Sequence, residues 1–168
     1  MENREKQQSQ VSQVVVTKVK EKKVNDKELF YLFTVSQIEE VLPEITVRPV
    51  PFSLDFVEGM CCWRGLVMPV VDLSRRFGFV ESGNKPQSEP RYIVARTGAL
   101  NQADSPELQR CVLKVSDTIQ VIEVAKEYTS VPLETISVEP SLVMGAYQQE
   151  KRLYMVPDLV SILDNKEN

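Results

Sequence analysis

The same order of short apolar runs occurs twice in this chain, and that repeat limits the fold more than any other feature. Val35-Ser36 with Ile38 and Glu40-Val41 is answered by Val115-Ser116 with Ile119 and Glu123-Val124. Val50-Pro51 is answered by Val131-Pro132, Gly59 by Gly145, and LVMPVVDL by LYMVPDL. The offset runs from 80 to about 87 residues, longer than a solenoid repeat, so the pattern predicts two similar small units. The runs are short, β-branched and aromatic, and read as strands. Units of about 70 residues made of short strands are best closed into barrels, because closure removes edges that would pair with other chains. The expectation is an all-β architecture of two small β-barrels packed side by side, with short helices.

Along the chain, residues 1–12 read as a disordered tail, 13–164 as a single folded domain and 165–168 as a second tail. The first barrel is expected at about 24–80 and the second at about 91–156, the N-terminal strand being open to sharing between them, with a C-terminal helix over 157–164. VSQVVVTKV and ELFYLFTV form a hairpin around Asn25-Asp26, and the basic stretch Lys18, Lys20, Lys22 and Lys23 is read as its solvated face. Ser36-Gln37-Ile38-Glu39 fits a capping box, and ITVRPVP alternates like an edge strand. Asp72 and Asp158 each precede a short helix, where a carboxylate caps free N–H groups. In the first helix Leu73 and Phe77 share a face and Gly78 supplies a left-handed stop; in the second Leu159, Ile162 and Leu163 pack inward. ESGNKPQSEP and residues 97–109 read as loops.

There is no histidine in the chain, which removes Ser-His-Asp, Cys-His and histidine-metal chemistry at once. No glycine-rich phosphate loop, zinc spacing or calcium loop occurs. A net charge of −4 argues against nucleic acid as a partner. No apolar run approaches the ~20 residues of a membrane helix, and MENREKQQSQ has no apolar secretory core, so the expectation is a cytoplasmic protein without direct membrane insertion. Neither a cofactor nor a metal is called for, and the chain is read as no enzyme. Of the three cysteines, adjacent Cys61 and Cys62 must point to opposite faces of a strand, so at most one lines any site. Cys111 lies in an apolar run and reads as packing. A thiol redox sensor built on Cys61 or Cys62, with Arg64 lowering a thiol pKa, is one alternative function; a barrel binding a small metabolite is another.

VEGMCCW and LVMPVVDL flank Arg64-Gly65, a two-residue connection that puts Arg64 at an exposed hairpin tip. In the repeat, Gln149, Glu150 and Lys151 occupy the corresponding turn. Arg64 and Trp63 are residue types enriched at binding hot spots. Trp63 could equally fill the core, and Arg64 could brace the hairpin by a salt bridge to Glu40.

The series FYLFTVSQIEEVL, ITVRPVP, FVEGMCCWRGLVMPVVDLSRRFG, RYIVA, VSDTIQVIEV and LYMVPDL closely resembles the CheW-like chemotaxis adaptor family, from about residue 13 to 164. Its most specific part is G-x(4)-RG-x(3)-P-x-x-DL: Gly59, Arg64, Gly65, Pro69, Asp72 and Leu73. The resemblance implies two packed SH3-like barrels and a non-catalytic scaffold. Such a scaffold couples the cytoplasmic tip of a chemoreceptor to the regulatory domain of a histidine autokinase in a two-component pathway. It also implies receptor helices in the groove between barrels near Arg64 and Gly65, with Glu40, Val41, Ile38 and Trp63 as partner-binding residues, and kinase domains at barrel ends. The chain departs from the family in carrying Cys62-Trp63 where Asn-Leu is usual, and in the 97–109 loop. An adaptor for type IV pilus motility or another chemosensory system is the alternative within this class.

Overall fold

In the computed structural model, which describes residues 12–80, 89–97, 108–124 and 127–164, the chain begins with the expected hairpin, β1 (Gln13–Val24) and β2 (Lys27–Thr34). Asn25 and Asp26 both take positive φ, 48° and 61°, which a tight two-residue turn requires. Then come β3 (Ile38–Leu42), β4 (Val57–Trp63), β5 (Leu66–Asp72), helix α1 (Leu73–Arg76), β6 (Arg91–Arg96) and β7 (Arg110–Val115). The chain continues with β8 (Ile119–Glu123), β9 (Thr129–Ser130), β10 (Val143–Gln149), β11 (Arg152–Pro157) and helix α2 (Leu159–Leu163). The expected terminal tails, the loop after residue 80 and most of the 97–109 loop lie outside the described residues.

The strands form two sheets, ordered β3-β6-β7-β5-β4 and β8-β1-β2-β11-β10-β9. This corrects the expected partition at about residue 80. Each copy of the repeat starts with a hairpin, β1-β2 or β6-β7, and each hairpin completes the sheet of the other copy. It docks through a parallel pairing, β5 with β7 and β11 with β2. The corresponding hairpins carry the same apolar pattern, so nothing local tells which sheet each one joins; pairing over long sequence separation decides it.

Three apolar clusters follow from this exchange. Barrel one, the first sheet, encloses Cys61, Met68, Val70, Val94 and Val112, with Trp63 packed against them. Barrel two encloses Val14, Val16, Phe30 and Tyr154. Between the barrels lies a larger shared core that includes Leu29, Tyr31, Phe33, Ile93, Leu113, Leu153, Met155, Leu159 and Ile162. The central strands therefore bury both faces: in β7, Val112 points into its barrel while Cys111, Leu113 and Val115 face the shared core. This is why β2 and β7 read as near-continuous apolar runs instead of alternating ones. At roughly 1.5–3 kcal/mol for each fully buried large aliphatic or aromatic side chain, the shared core binds the barrels into one body.

Both aspartate caps form: the Asp72 carboxylate accepts the backbone N–H of Arg75 at 3.1 Å, and that of Asp158 those of Val160 and Ser161 at 3.1 and 3.3 Å. Leu73 and Phe77 are buried, and Gly78 takes φ 70°. Three local readings are corrected. The capping box lies two residues earlier, with the Gln37 side-chain oxygen accepting from the Thr34 backbone N–H at 3.1 Å, because the turn before β3 is a single 3-10 turn over Val35–Gln37. ITVRPVP contributes one bridge, Arg48 to Met60, since Pro49 and Pro51 have no N–H for a ladder; Ile45 and Val47 pack into barrel one instead. The basic stretch is not simply solvated. Lys18 pairs with Glu28, Lys20 pairs with Asp117, and the Lys22 ammonium lies 5.2 Å from the centre of the Phe79 ring.

Candidate functional site

The β4-β5 hairpin turns on Arg64 and Gly65, whose φ angles are 48° and 79°. Glycine adopts that region freely, whereas arginine is held there by the flanking strands, closed by the Trp63–Leu66 pair. At the other end of β4 the motif glycine has a steric task. A Cβ on Gly59 would lie 2.2 Å from the Arg48 carbonyl oxygen, so only glycine lets the 45–50 segment close against β4.

β3 reaches the tip from the opposite edge of the same sheet. A register shift between Ile38 and Glu40 sends the two adjacent carboxylates to different partners. Glu39 accepts two hydrogen bonds from Arg110, at 2.8 and 3.2 Å, and lies 3.9 Å from the buried Arg96, whose Nε donates to the Ser36 carbonyl at 2.9 Å. Glu40 Oε2 accepts the Trp63 indole N–H at 2.7 Å and an Arg64 Nη2 proton at 3.2 Å. Because β3 and β4 are the two edges of the sheet, this contact closes the barrel through side chains. A short, partly desolvated N–H to carboxylate bond contributes more than the exposed ion pair, which is worth about 1 kcal/mol or less. Glu40 is therefore held chiefly by Trp63.

The Arg64 guanidinium carbon lies 4.7 Å from the centre of the Trp63 ring, and the Arg64 side chain is 69% exposed. Trp63 packs against the barrel-one interior, as the core-filling reading expects, and its ring also lies beneath the Arg64 guanidinium. Val41 is exposed beside Glu40, as are Leu66 and Val67 on the strand leaving the turn. Ile38, expected as a groove residue, is half-buried and packs against the shared core. Thus Glu40, Trp63 and Arg64 converge with Gly65 in the turn, Val41 flanks them, and Ile38 stands apart. The buried Arg96 and its Glu39–Arg110 clamp escaped the sequence reading; an arginine ending the apolar run RYIVAR was the available signal. The matching tip of barrel two carries Glu150, at φ 51°, and Lys151, so the tips differ in charge.

The far end of β4–β5 holds a charge network. The Lys114 ammonium contacts Glu58 and lies 3.2 Å from Asp72, while Arg75 lies 3.8 Å from Glu58 and 3.7 Å from Asp72. Burial pulls the Lys114 pKa down, but the hydrogen bond to Glu58 and the Asp72 charge outweigh it and leave it above the ordinary lysine value. Beside this end, Phe52 is fully exposed (105%) at φ 59°, although its repeat counterpart Leu133 packs against the core.

The thiols separate as alternation requires, Cys61 buried and Cys62 exposed. Burial, with Cys62 adding to it, raises the Cys61 pKa, and burial pushes Cys111 up to about 12, so both are poor nucleophiles. Among the described residues no His/Cys/Asp/Glu group is placed to hold a metal ion, and no helix is long and apolar enough to cross a membrane. An open cleft of about 450 Å³ runs beside Thr46, Arg48, Met60, Cys62 and Val67. What the tip presents is a mostly exposed guanidinium over an aromatic ring.

Comparison with known proteins agrees with this architecture. The family model described as CheW-like domain matches residues 13–167. The chemotaxis protein CheW of Thermotoga maritima is 42% identical over 65 residues, a stretch covering 39% of this chain and 41% of that protein. The match therefore spans less than half the length of that relative. The crystal structure of the scaffolding protein TtCheW from Thermoanaerobacter tengcongensis superposes with a TM-score of 0.69 at 18% identity, over 99% of this chain and 97% of that one. That likeness shows a shared fold of two SH3-like barrels.

Proposed function

The chain belongs to the CheW-like domain family, and from that premise we propose that it is a non-catalytic adaptor of a chemotaxis-type pathway, coupling a chemoreceptor tip to a histidine autokinase. The receptor's cytoplasmic helices would bind at the barrel-one tip, contacting Arg64, Gly65, Val41 and Trp63, with Glu40 bracing them. Ile38, packed against the shared core, would act only by fixing the start of β3. The kinase's regulatory domain would bind at the far end of β4, seven residues and so roughly 20 Å away, with Phe52 as an apolar anchor. Separate surfaces let one chain hold both partners, and differential binding to the arrangements of receptor and kinase then biases the kinase without chemistry in the adaptor.

The observation that carries this reading is the tip: a mostly exposed guanidinium held at positive φ on the only tryptophan of the chain. Arginine and tryptophan are the residue types that dominate binding energy at interfaces. The test is titration calorimetry of the chain against two probes: the helical-hairpin tip of a chemoreceptor and the regulatory domain of a histidine kinase, both encoded in the same genome. The reading expects both to bind and neither to displace the other. Binding of neither probe, or mutual exclusion, would refute it.

A further inference from the structure

We infer that Trp63 is a specificity-determining residue: it keeps Arg64 available for a carboxylate on the partner's helix. The inference rests on the adaptor reading above and extends it to the chemistry of the contact.

Arginine forms its strongest pair with a carboxylate side-on, through two parallel N–H bonds. Glu40, already in an end-on ion pair with Arg64, lies close enough to do this internally, which would use up the paired N–H edge of the guanidinium. It does not: the short indole N–H bond to Oε2 orients the carboxylate toward Trp63, and Arg64 shares that one oxygen end-on through Nη2 alone. The Nε and Nη1 groups of Arg64 have no hydrogen-bond partner among the described residues. The guanidinium carbon also lies over the Trp63 ring, 4.7 Å from its centre, so the ring holds one side of the group while its unpaired N–H groups remain for a partner. Positive φ at Arg64 fixes where the side chain leaves the turn. A ring without the N–H would leave the whole Glu40 carboxylate to the arginine; an aliphatic residue would remove the platform as well.

The surroundings narrow the class of partner. Val41, Leu66 and Val67 are 44%, 45% and 70% exposed around the tip. A cationic edge among aliphatic side chains fits an amphipathic helix that carries an aspartate or glutamate beside its apolar stripe. The free planar edge matches a carboxylate, whereas a lysine or arginine there would be repelled.

The test uses the full chain and the same receptor hairpin as probe. Arg64→Glu should weaken binding about tenfold or more, and changing the hairpin's aspartates and glutamates to lysine one at a time should find one reversal that restores affinity to within about threefold. Trp63→Phe, which keeps the ring and the packing, should weaken binding about fivefold and shrink that charge-reversal rescue. In the free chain the single indole N–H resonance should move on Glu40→Gln, which reports the hydrogen bond independently of any partner. Two results would overturn the inference: no reversal rescuing Arg64→Glu, or Trp63→Phe binding as the native chain does with the full rescue. If the native chain fails to bind the hairpin at all, the adaptor reading falls with it; binding without rescue removes the inference alone.

Discussion

Replacing Gly59 by alanine should cost stability and leave recognition intact. The new Cβ would lie 2.2 Å from the Arg48 carbonyl oxygen, 2.7 Å from its carbon and 3.0 Å from Pro49 Cα. All three are backbone atoms, so no side chain can swing aside. The 45–50 segment must then leave β4, and it is held there by two hydrogen bonds, Arg48 N–H to Met60 O at 2.8 Å and Met60 N–H to Arg48 O at 2.9 Å. Losing both costs about 1–3 kcal/mol, and alanine at φ 147° adds about 1–3 kcal/mol of backbone strain. With partial relaxation, a loss of about 2–5 kcal/mol is expected, or roughly 5–15 °C in the thermal midpoint for a chain of this size. Urea unfolding followed by circular dichroism gives the free energy, and calorimetry below the transition gives the affinity for the receptor hairpin, expected within about threefold of native. A variant as stable as the parent to within about 0.5 kcal/mol would refute the steric argument. Native stability with lost binding would make Gly59 a contact residue instead of a structural one.

Arg64→Ala should weaken receptor binding by more than ~1 kcal/mol while moving the thermal midpoint little, because the pair it breaks is exposed; unaltered affinity by calorimetry removes Arg64 from the interface. Phe52→Asn should leave stability level or slightly raised, since asparagine tolerates positive φ and the ring buries nothing, yet weaken binding of the kinase regulatory domain; unchanged kinase affinity would dismiss the anchor. Lys114→Met leaves Glu58 and Asp72 without their shared cation and should cost about 2–3 kcal/mol, below the fully buried case because the network is partly solvated. A lysine whose folded pKa is raised contributes in full below its unfolded value of about 10.4 and loses that contribution as pH rises through the folded one, so the gap between variant and parent should stay level to about pH 10 and narrow above it. A thiol reagent at neutral pH should label one cysteine of the native chain quickly, Cys62, with Cys61 and Cys111 reacting only on unfolding; fast labelling of a second thiol would contradict the burial described.

What the sequence determined by itself is what short-range physics controls. Asn25-Asp26 and Arg64-Gly65 announce tight hairpins because few residues adopt positive φ. Asp72 and Asp158 announce caps because a carboxylate satisfies N–H groups two or three residues ahead, and the 80-residue repeat announces two units. The partners Glu40 and Arg64 were legible as opposite charges, and Trp63 as an aromatic with two open roles. Tertiary structure alone decided the rest. It exchanged the hairpins between sheets, because a strand's choice among equivalent apolar edges depends on long-range pairing that leaves no local mark. It gave the Glu40 oxygen to the indole, sent Glu39 to Arg96 and Arg110 through a one-residue bulge, and left Phe52 outside while Leu133 went in. Each of those outcomes turns on a few ångströms between segments distant in the chain, a distance no residue carries in its own identity.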